Sequence, residues 1–209
     1  MRTNDDIARD IDASGAPLDM VRAAKLILGD ALTRKAVMGE FDMYAAYVDG
    51  SGKIHLIANP LGEKDGFTRI IQIVGVALDA GISAIVSESW YLDPASLTPE
   101  EYAAAAHAIK TGMPVSRHPK AVETITVHMR DDATTMLMIA TLLPRCPSAS
   151  VSAFVAACDR HEEAEITGTM TDIRVSRVMA ERMRLMPGLL PTGAQLEEIR
   201  MKWMAARTN

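Results

Sequence analysis

The sequence predicts an α+β fold, with an antiparallel or mixed sheet, helices packed on one face of that sheet and two C-terminal helices. Runs with the two-residue period of β-strands stand next to one another in the chain, which favours antiparallel pairing. Runs with the spacing of amphipathic helices lie between and after them. Hydrophobic residues make up 48% and charged residues 23% of the chain, a globular balance that argues against extensive disorder.

The N-terminal part of the chain has a helical pattern. Residues 1–16 are polar except for Ile7 and Ile11, whose spacing is typical of either a short amphipathic turn or a frayed end. Pro17 suits the first turn of a helix, where no backbone N–H is needed, and Gly39 is a typical residue after a helix end. The positions between them form one apolar stripe: Leu18, Val21, Ala24, Leu28 and Leu32. We therefore expect one amphipathic helix here.

A hairpin, a helix and a strand come next in the chain. The runs Tyr44–Val48 and Lys53–Ile57 flank Asp49-Gly50-Ser51-Gly52, whose residues tolerate the backbone angles of a tight turn. The next helix begins after Gly66 and is apolar almost all round, which predicts deep burial across a sheet. Gly81 stands where a helix usually ends, and the strand Gly81–Leu92 begins at once.

The middle of the chain predicts one more helix and a group of strands. The run Thr98–Glu101 has the residues of a capping box, with proline at the first helical position, and its helix ends near Lys110. The runs Glu123–Arg130 and Thr134–Leu143 have the pattern of strands. Val151–Cys158 fits both a helix and a strand, and the strand is favoured because the preceding strand needs an antiparallel neighbour.

The C-terminal part predicts two helices, Asp172–Met186 and Gln195–Ala206, separated by a loop rich in proline and glycine. The chain thus divides into an N-terminal helical segment, an α+β core domain and a C-terminal helical segment, which we expect to pack as one unit. Their bounds are 1–40, 41–168 and 169–209.

Composition excludes several classes of function. The formal net charge of -5 argues against nucleic acid as the main partner. Cys146 and Cys158 have neither zinc-site nor redox-pair spacing, so we expect buried thiols, no metal and no cofactor. The N-terminus lacks the apolar core of a signal peptide, and no run is long enough to span a membrane. These features predict a cytoplasmic protein without membrane contact.

Glu88 is the candidate catalytic residue. The period of two places it on the more apolar face of its strand, where a carboxylate needs a partner or a proton. His55 and His128 also lie on predicted strands, and either one beside Glu88 would give an acid–base pair. Two alternatives stay open: a structural ion pair with Arg130, Lys53 or a histidine, and a solvent-exposed Glu88 at a strand end.

The C-terminal helices give a second hypothesis, a protein-binding surface. Methionine-rich stripes are adaptable contact surfaces, although the same stripes also serve to dock a helix on its own domain. The candidate binding residues are Trp90, Met179, Met183, Met186 and Trp203. Arg174, Arg177 and Arg184 lie on the opposite stripe and are the candidates for phosphate contacts with a nucleic acid.

Two short runs carry a resemblance to a protein group. Val86-Ser87-Glu88-Ser89-Trp90 and Pro119-Lys120-Ala121-Val122-Glu123 resemble uncharacterised bacterial and phage-borne proteins with a Ser-Glu-Ala-Trp-like strand. This chain departs from that pattern at Ser89, where alanine is usual. The resemblance implies a phage or mobile-element origin and implies no reaction.

The sequence therefore leads to two expected functions. The first is a non-enzymatic binding or accessory protein that acts through contacts with a protein partner or with itself. The second is a small acid–base enzyme, hydrolase-like, that uses Glu88 with His55 or His128.

Overall fold

The structure is a computed structural model that describes residues 1–40, 42–59, 64–92, 96–144, 148–160 and 173–205. Its helices are α1 (Asn4–Asp12), α2 (Leu18–Met38), α3 (Lys64–Ala77), α4 (Pro99–Lys110), α5 (Arg177–Arg184) and α6 (Gly193–Ala205). Its strands are β1 (Tyr44–Val48), β2 (Ile54–Ala58), β3 (Ile82–Tyr91), β4 (Val122–Arg130), β5 (Thr134–Leu142) and β6 (Val151–Arg160). A 3₁₀ turn covers Val115–Arg117.

The six strands form one sheet in the order β2-β1-β3-β4-β5-β6. Each neighbouring pair is antiparallel. The α+β class and the antiparallel sheet are therefore confirmed, and the ambiguous run at 151–158 is a strand. The pairing of β5 with β6 has a register shift between Thr141 and Leu142. β2 and β6 are the two edges of the sheet as the described residues form it.

Helices cover both faces of the sheet, which corrects the prediction that they pack on one face. α1 and α2 lie on the first face, over a cluster that includes Tyr44, Val86 and Met138. α3 lies on the second face, where Phe67 and Ile71 pack with alternate residues of β1 such as Tyr47. The nearly all-round apolar surface of α3 correctly indicates burial. Because α2 already covers the first face, this buried helix belongs on the second.

Several local signals are confirmed. Gly39 ends α2 with a φ of 79°, in the left-handed region that favours glycine. Thr98 caps α4 in a capping box with Glu101. At the N-terminus, Thr3 and Asp6 form a second capping box, so residues 4–12 are a helix rather than a frayed end.

The C-terminal segment differs in one respect from the prediction. α5 begins at Arg177 rather than Asp172, because Ser176 is in an extended conformation and its side chain caps the helix through the Met179 N–H. Ile173, outside the helix, is fully buried in the second-face cluster. Among the described residues, no helix is both long and apolar enough to cross a membrane.

Candidate functional site

Glu88 lies near the end of β3, on the first face of the sheet. It stands opposite Ile125 of β4, whose side chain is buried in the cluster under α2. Lys35, in the last turn of α2, donates from Nζ to Glu88 Oε2 at 3.0 Å and to Glu123 Oε1 at 2.5 Å. The side chains of Lys35 and Glu88 are only 11% and 19% exposed. We call Lys35, Glu88 and Glu123 the Lys35 salt bridge.

The electrostatics of this group favour a fixed charge over a reactive one. Burial opposes the positive charge of Lys35, but hydrogen bonds and attraction from Glu123 and Glu88 outweigh it and raise the pKa of Lys35. An ammonium with a raised pKa stays protonated at neutral pH, so it is neither a nucleophile nor a general base. The arrangement fastens the end of α2 to β3 and β4.

A second polar network lies one position earlier on α2. The Tyr44 hydroxyl donates to Asp30 Oδ2 at 2.9 Å, and Arg34 Nη2 donates to Asp30 Oδ1 at 3.0 Å. The Arg34 guanidinium also lies over the Tyr44 ring, 4.9 Å from its centroid. Burial, followed by the negative charge of Asp30, raises the pKa of Tyr44, so its phenol stays neutral. Like the Lys35 salt bridge, this network connects α2 to a strand of the sheet.

The structure does not bring His55 or His128 to Glu88. His128 stands opposite Ile85, whose side chain is in the second-face cluster, so it projects from the face opposite Glu88. His55 stands opposite Tyr47, also of the second-face cluster, and its Nε2 is 2.7 Å from Asp49 Oδ2 in the β1–β2 turn. A general acid and base must lie within reach of one substrate atom, and this geometry separates them across the sheet.

The partner of Glu88 was missed by the sequence reasoning. The predicted partners were Arg130, Lys53 or a histidine on a neighbouring strand, whereas Lys35 comes from a helix. A signal existed in the sequence, because Lys35 follows Leu28 and Leu32 at helical spacing on the apolar stripe of α2. A lysine at a core-facing position requires a carboxylate partner.

The predicted binding residues on the C-terminal segment are divided by the structure. Met183 is buried, while Met179 and Met186 are about half exposed. Two further apolar side chains project into solvent beside them: Val178 is 62% and Leu185 83% exposed. We call Val178, Met179, Leu185 and Met186 the α5 surface. Trp90 is 48% exposed on β3, and the side chain of Trp203 lies outside the described residues.

The three arginines proposed for phosphate contacts do lie together, but each has a carboxylate beside it. They line a cleft of about 350 Å³ between α3 and α5. Arg174 pairs with Asp132 at 2.8 Å, Arg184 with Asp79 at 2.5 Å and Arg177 with Glu181 at 3.8 Å. The Arg174 guanidinium also donates to the Ala80 carbonyl oxygen. Since the positive charges are balanced within the cleft, the geometry does not favour nucleic-acid binding there.

Within the part of the chain that the structure describes, no group of three His, Cys, Asp or Glu side chains is placed to hold a metal ion. Cys158 is a half-buried free thiol whose pKa is raised by burial and by nearby Asp131 and Asp159, whereas Cys146 lies outside the described residues. Comparison with protein-family models, curated proteins and solved structures finds no match to this chain.

Proposed function

We propose that this chain is a non-enzymatic binding or accessory protein that acts through protein–protein contacts, with the α5 surface as its contact site. The observation that carries the proposal is the exposure of four large apolar side chains on α5 and on the two residues that follow it. Val178 and Leu185 are two helical turns apart and share a face, and Met179 and Met186 form the adjacent row. Contiguous exposed apolar side chains are typical of protein contact sites.

The chemistry of the α5 surface indicates the kind of partner. Methionine adapts to differently shaped apolar partners because its side chain is flexible and polarizable. Exposed Arg177 and Arg182 border the apolar rows. Arg177 lies beside Glu181 and Arg184 beside Asp79, so α5 with these partners keeps a positive surplus of one, at Arg182. A protein surface with an apolar centre and an acidic rim therefore fits best.

The Lys35 salt bridge supports this choice over the acid–base enzyme. Glu88 already accepts a hydrogen bond from Lys35 in a largely buried position. Neither histidine considered as its partner shares its face of the sheet. A cytoplasmic location, suggested by the sequence, and a phage or mobile-element origin, suggested by the resemblance, remain part of the proposal.

The test is a paired affinity capture with the full-length chain and its variant Val178→Lys with Leu185→Lys. The variant removes two of the four apolar side chains and adds two positive charges, which would not repel an acidic rim, so we expect loss of apolar contact to lower the partner's affinity about tenfold or more. Binding of each captured protein is then measured by calorimetry with purified components. Glu88→Gln is a second variant that should retain the partner.

The control is Leu26→Lys, an equally drastic change at a comparably exposed apolar residue on α2. If the double variant on α5 binds every captured partner as tightly as the unmodified chain does, the α5 surface is not the contact site. Truncation from residue 172 is a poor substitute, because it removes the buried side chain of Ile173 from the core.

A further inference from the structure

β6 leaves one of its edges open. It pairs with β5 along its whole length, and within the described ranges no strand pairs with its other side. The strand has ten residues, Val151–Arg160. Alternate backbone N–H and C=O groups along this edge point away from β5 and are available for pairing with another chain. The β6 edge is a different surface from the α5 surface, so pairing along it does not depend on a partner bound at α5.

The start of the β6 edge is already occupied. The backbone N–H of Arg2 donates to the Val151 carbonyl oxygen at 2.9 Å. α1 contacts β6, and Phe154 and Val151 are buried with it in the first-face cluster. The open stretch therefore begins after Val151.

Apart from the register shift at its start, opposite Thr141 and Leu142 of β5, the open stretch lacks the features that protect exposed strand edges. From Ser152 to Cys158 the sequence is Ser-Ala-Phe-Val-Ala-Ala-Cys, without a charged residue, proline or glycine. Val155 is 60% exposed at the middle of this stretch, and Ala153 and Ala157 on its two sides are exposed as well. An edge that is long, uncharged and apolar on its outer face is a template for strand addition.

We propose that a second copy of this chain pairs with it through β6, antiparallel and about a twofold axis at Val155, so that the two sheets become continuous. In this register Ala153 lies opposite the partner's Ala157, and Phe154 lies opposite the partner's Ala156. Small residues thus meet larger ones on the buried face, and Val155 meets its own copy on the other face. A twofold contact of this kind needs only one self-complementary surface.

Charge complementarity selects this arrangement. The charged residues of β6 are Asp159 and Arg160, both at its end. A parallel pair in register would set each of them beside its own copy, which is repulsive. The antiparallel pair sets the partner's Asp159 beyond the open stretch, beside Arg2, whose backbone occupies the edge at Val151 and whose side chain also pairs with Asp10. Like charges are therefore kept apart at both ends of the shared edge.

The test is the mass of the full-length protein in solution by sedimentation velocity, from the low to the high micromolar range. We expect a concentration-dependent dimer of twice 22.6 kDa. Val155→Lys puts two cations together on the twofold axis and should weaken the dimer at least tenfold. Leu26→Lys is the matched control, since Leu26 on α2 is 64% exposed against 60% for Val155 and lies outside both proposed surfaces. It should leave the dimer unchanged.

A charge exchange tests the register. Val155→Lys and Val155→Glu should each be monomeric alone and should form a mixed dimer when combined, because the two introduced charges then attract. The inference is overturned if the unmodified chain stays monomeric, if Val155→Lys stays dimeric, or if the mixture forms no dimer. Loss of the dimer in Val178→Lys alone would transfer self-association to the α5 surface. If β6 instead accepts a strand from a different protein, the unmodified chain is itself monomeric, and the inference is overturned.

Discussion

The two edges of the sheet are built in opposite ways. β2 has five residues, none of them exposed, and α6 packs against it. β6 has ten residues, six of them exposed, and α1 contacts it on its buried face. A short and covered strand is protected from pairing with other chains, whereas a long and uncovered one is not. This difference between the described edges supports the proposed pairing of β6 with a second copy of the chain.

The covered side also contains the aromatic part of the second-face core. Phe67 of α3 and Tyr47 of β1 are fully buried there, with Ile57 of β2 beside them in the same cluster. The β6 side of that same face instead carries Val155, which projects into solvent. We infer that folding stability depends on the β2 side, whereas β6 is available for association.

The largest expected effect is a loss of folding stability after a substitution in the core on the β2 side. Phe67→Ala removes a side chain with no solvent exposure and should lower the free energy of unfolding by about 3–5 kcal/mol. Val155→Ala, on the open edge, should change it by no more than about 0.5 kcal/mol at concentrations where the protein is monomeric. Urea unfolding followed by circular dichroism measures both. Equal losses of unfolding free energy in the two variants would show that the two sides of the sheet do not differ in their contribution to stability.

The second largest effect is the loss of folding stability when the Lys35 salt bridge, which lies between the two edges of the sheet, is broken. Lys35→Met leaves Glu88 and Glu123 close together without their cation, and should cost about 1–3 kcal/mol of unfolding free energy. Lys25→Met is the control on the same helix. Lys25 pairs with Asp12 at 2.7 Å, but this pair is exposed, so its loss should cost less than about 1 kcal/mol. If both variants lose the same stability, the Lys35 salt bridge does not fasten α2 to the sheet.

The smallest effect concerns Tyr47 and pH. Burial raises the pKa of Tyr47, so the folded protein keeps the phenol neutral while the unfolded chain ionises near the ordinary value of 10.0. The stabilisation is therefore complete below about pH 10 and is lost as the pH rises above that value. Tyr47→Phe also removes the hydrogen bond to the Ile71 carbonyl, at 3.2 Å, for about 1 kcal/mol at neutral pH.

The measurement is the free energy of unfolding at about pH 9 and about pH 11. Tyr47→Phe should lose less stability between these pH values than the unmodified chain. Tyr44, whose pKa is also raised by burial, and Lys35, whose raised pKa gives a loss in the same alkaline direction, contribute to both proteins and cancel in the comparison. An identical alkaline loss would mean that Tyr47 ionises in the folded protein as it does when unfolded.

Local features were predictable from the sequence where one short run determines them. The ends of α2 and α4 follow from Gly39 and from the Thr98 capping box, and the β1–β2 turn follows from residues 49–52. The sequence favours a strand at β6 because β5 needs an antiparallel neighbour, which depends on pairing between strands rather than on the residues of β6 itself.

The contacts between distant residues were not predictable in the same way. Lys35 and Glu88 are 53 positions apart, and no pattern within either element specifies the other. The sequence pattern predicts the start of α5 too early because Val175 fits the helical stripe, whereas Ser176 caps the helix and Ile173 fills the core. The exposure of Val155 was also not predictable. Both faces of β6 carry apolar residues, so the sequence pattern does not show which face is exposed.

Amide hydrogen exchange of β2 and β6 across a range of protein concentrations tests the contrast between the two edges most directly. We predict that β2 amides exchange slowly and at the same rate at every concentration. Half of the amides in Ala153–Cys158, those that point away from β5, should exchange quickly in dilute protein and become protected as the dimer forms. Exchange in β6 that is independent of concentration, or exchange in β2 as fast as in β6, would contradict the contrast between a covered and an open edge.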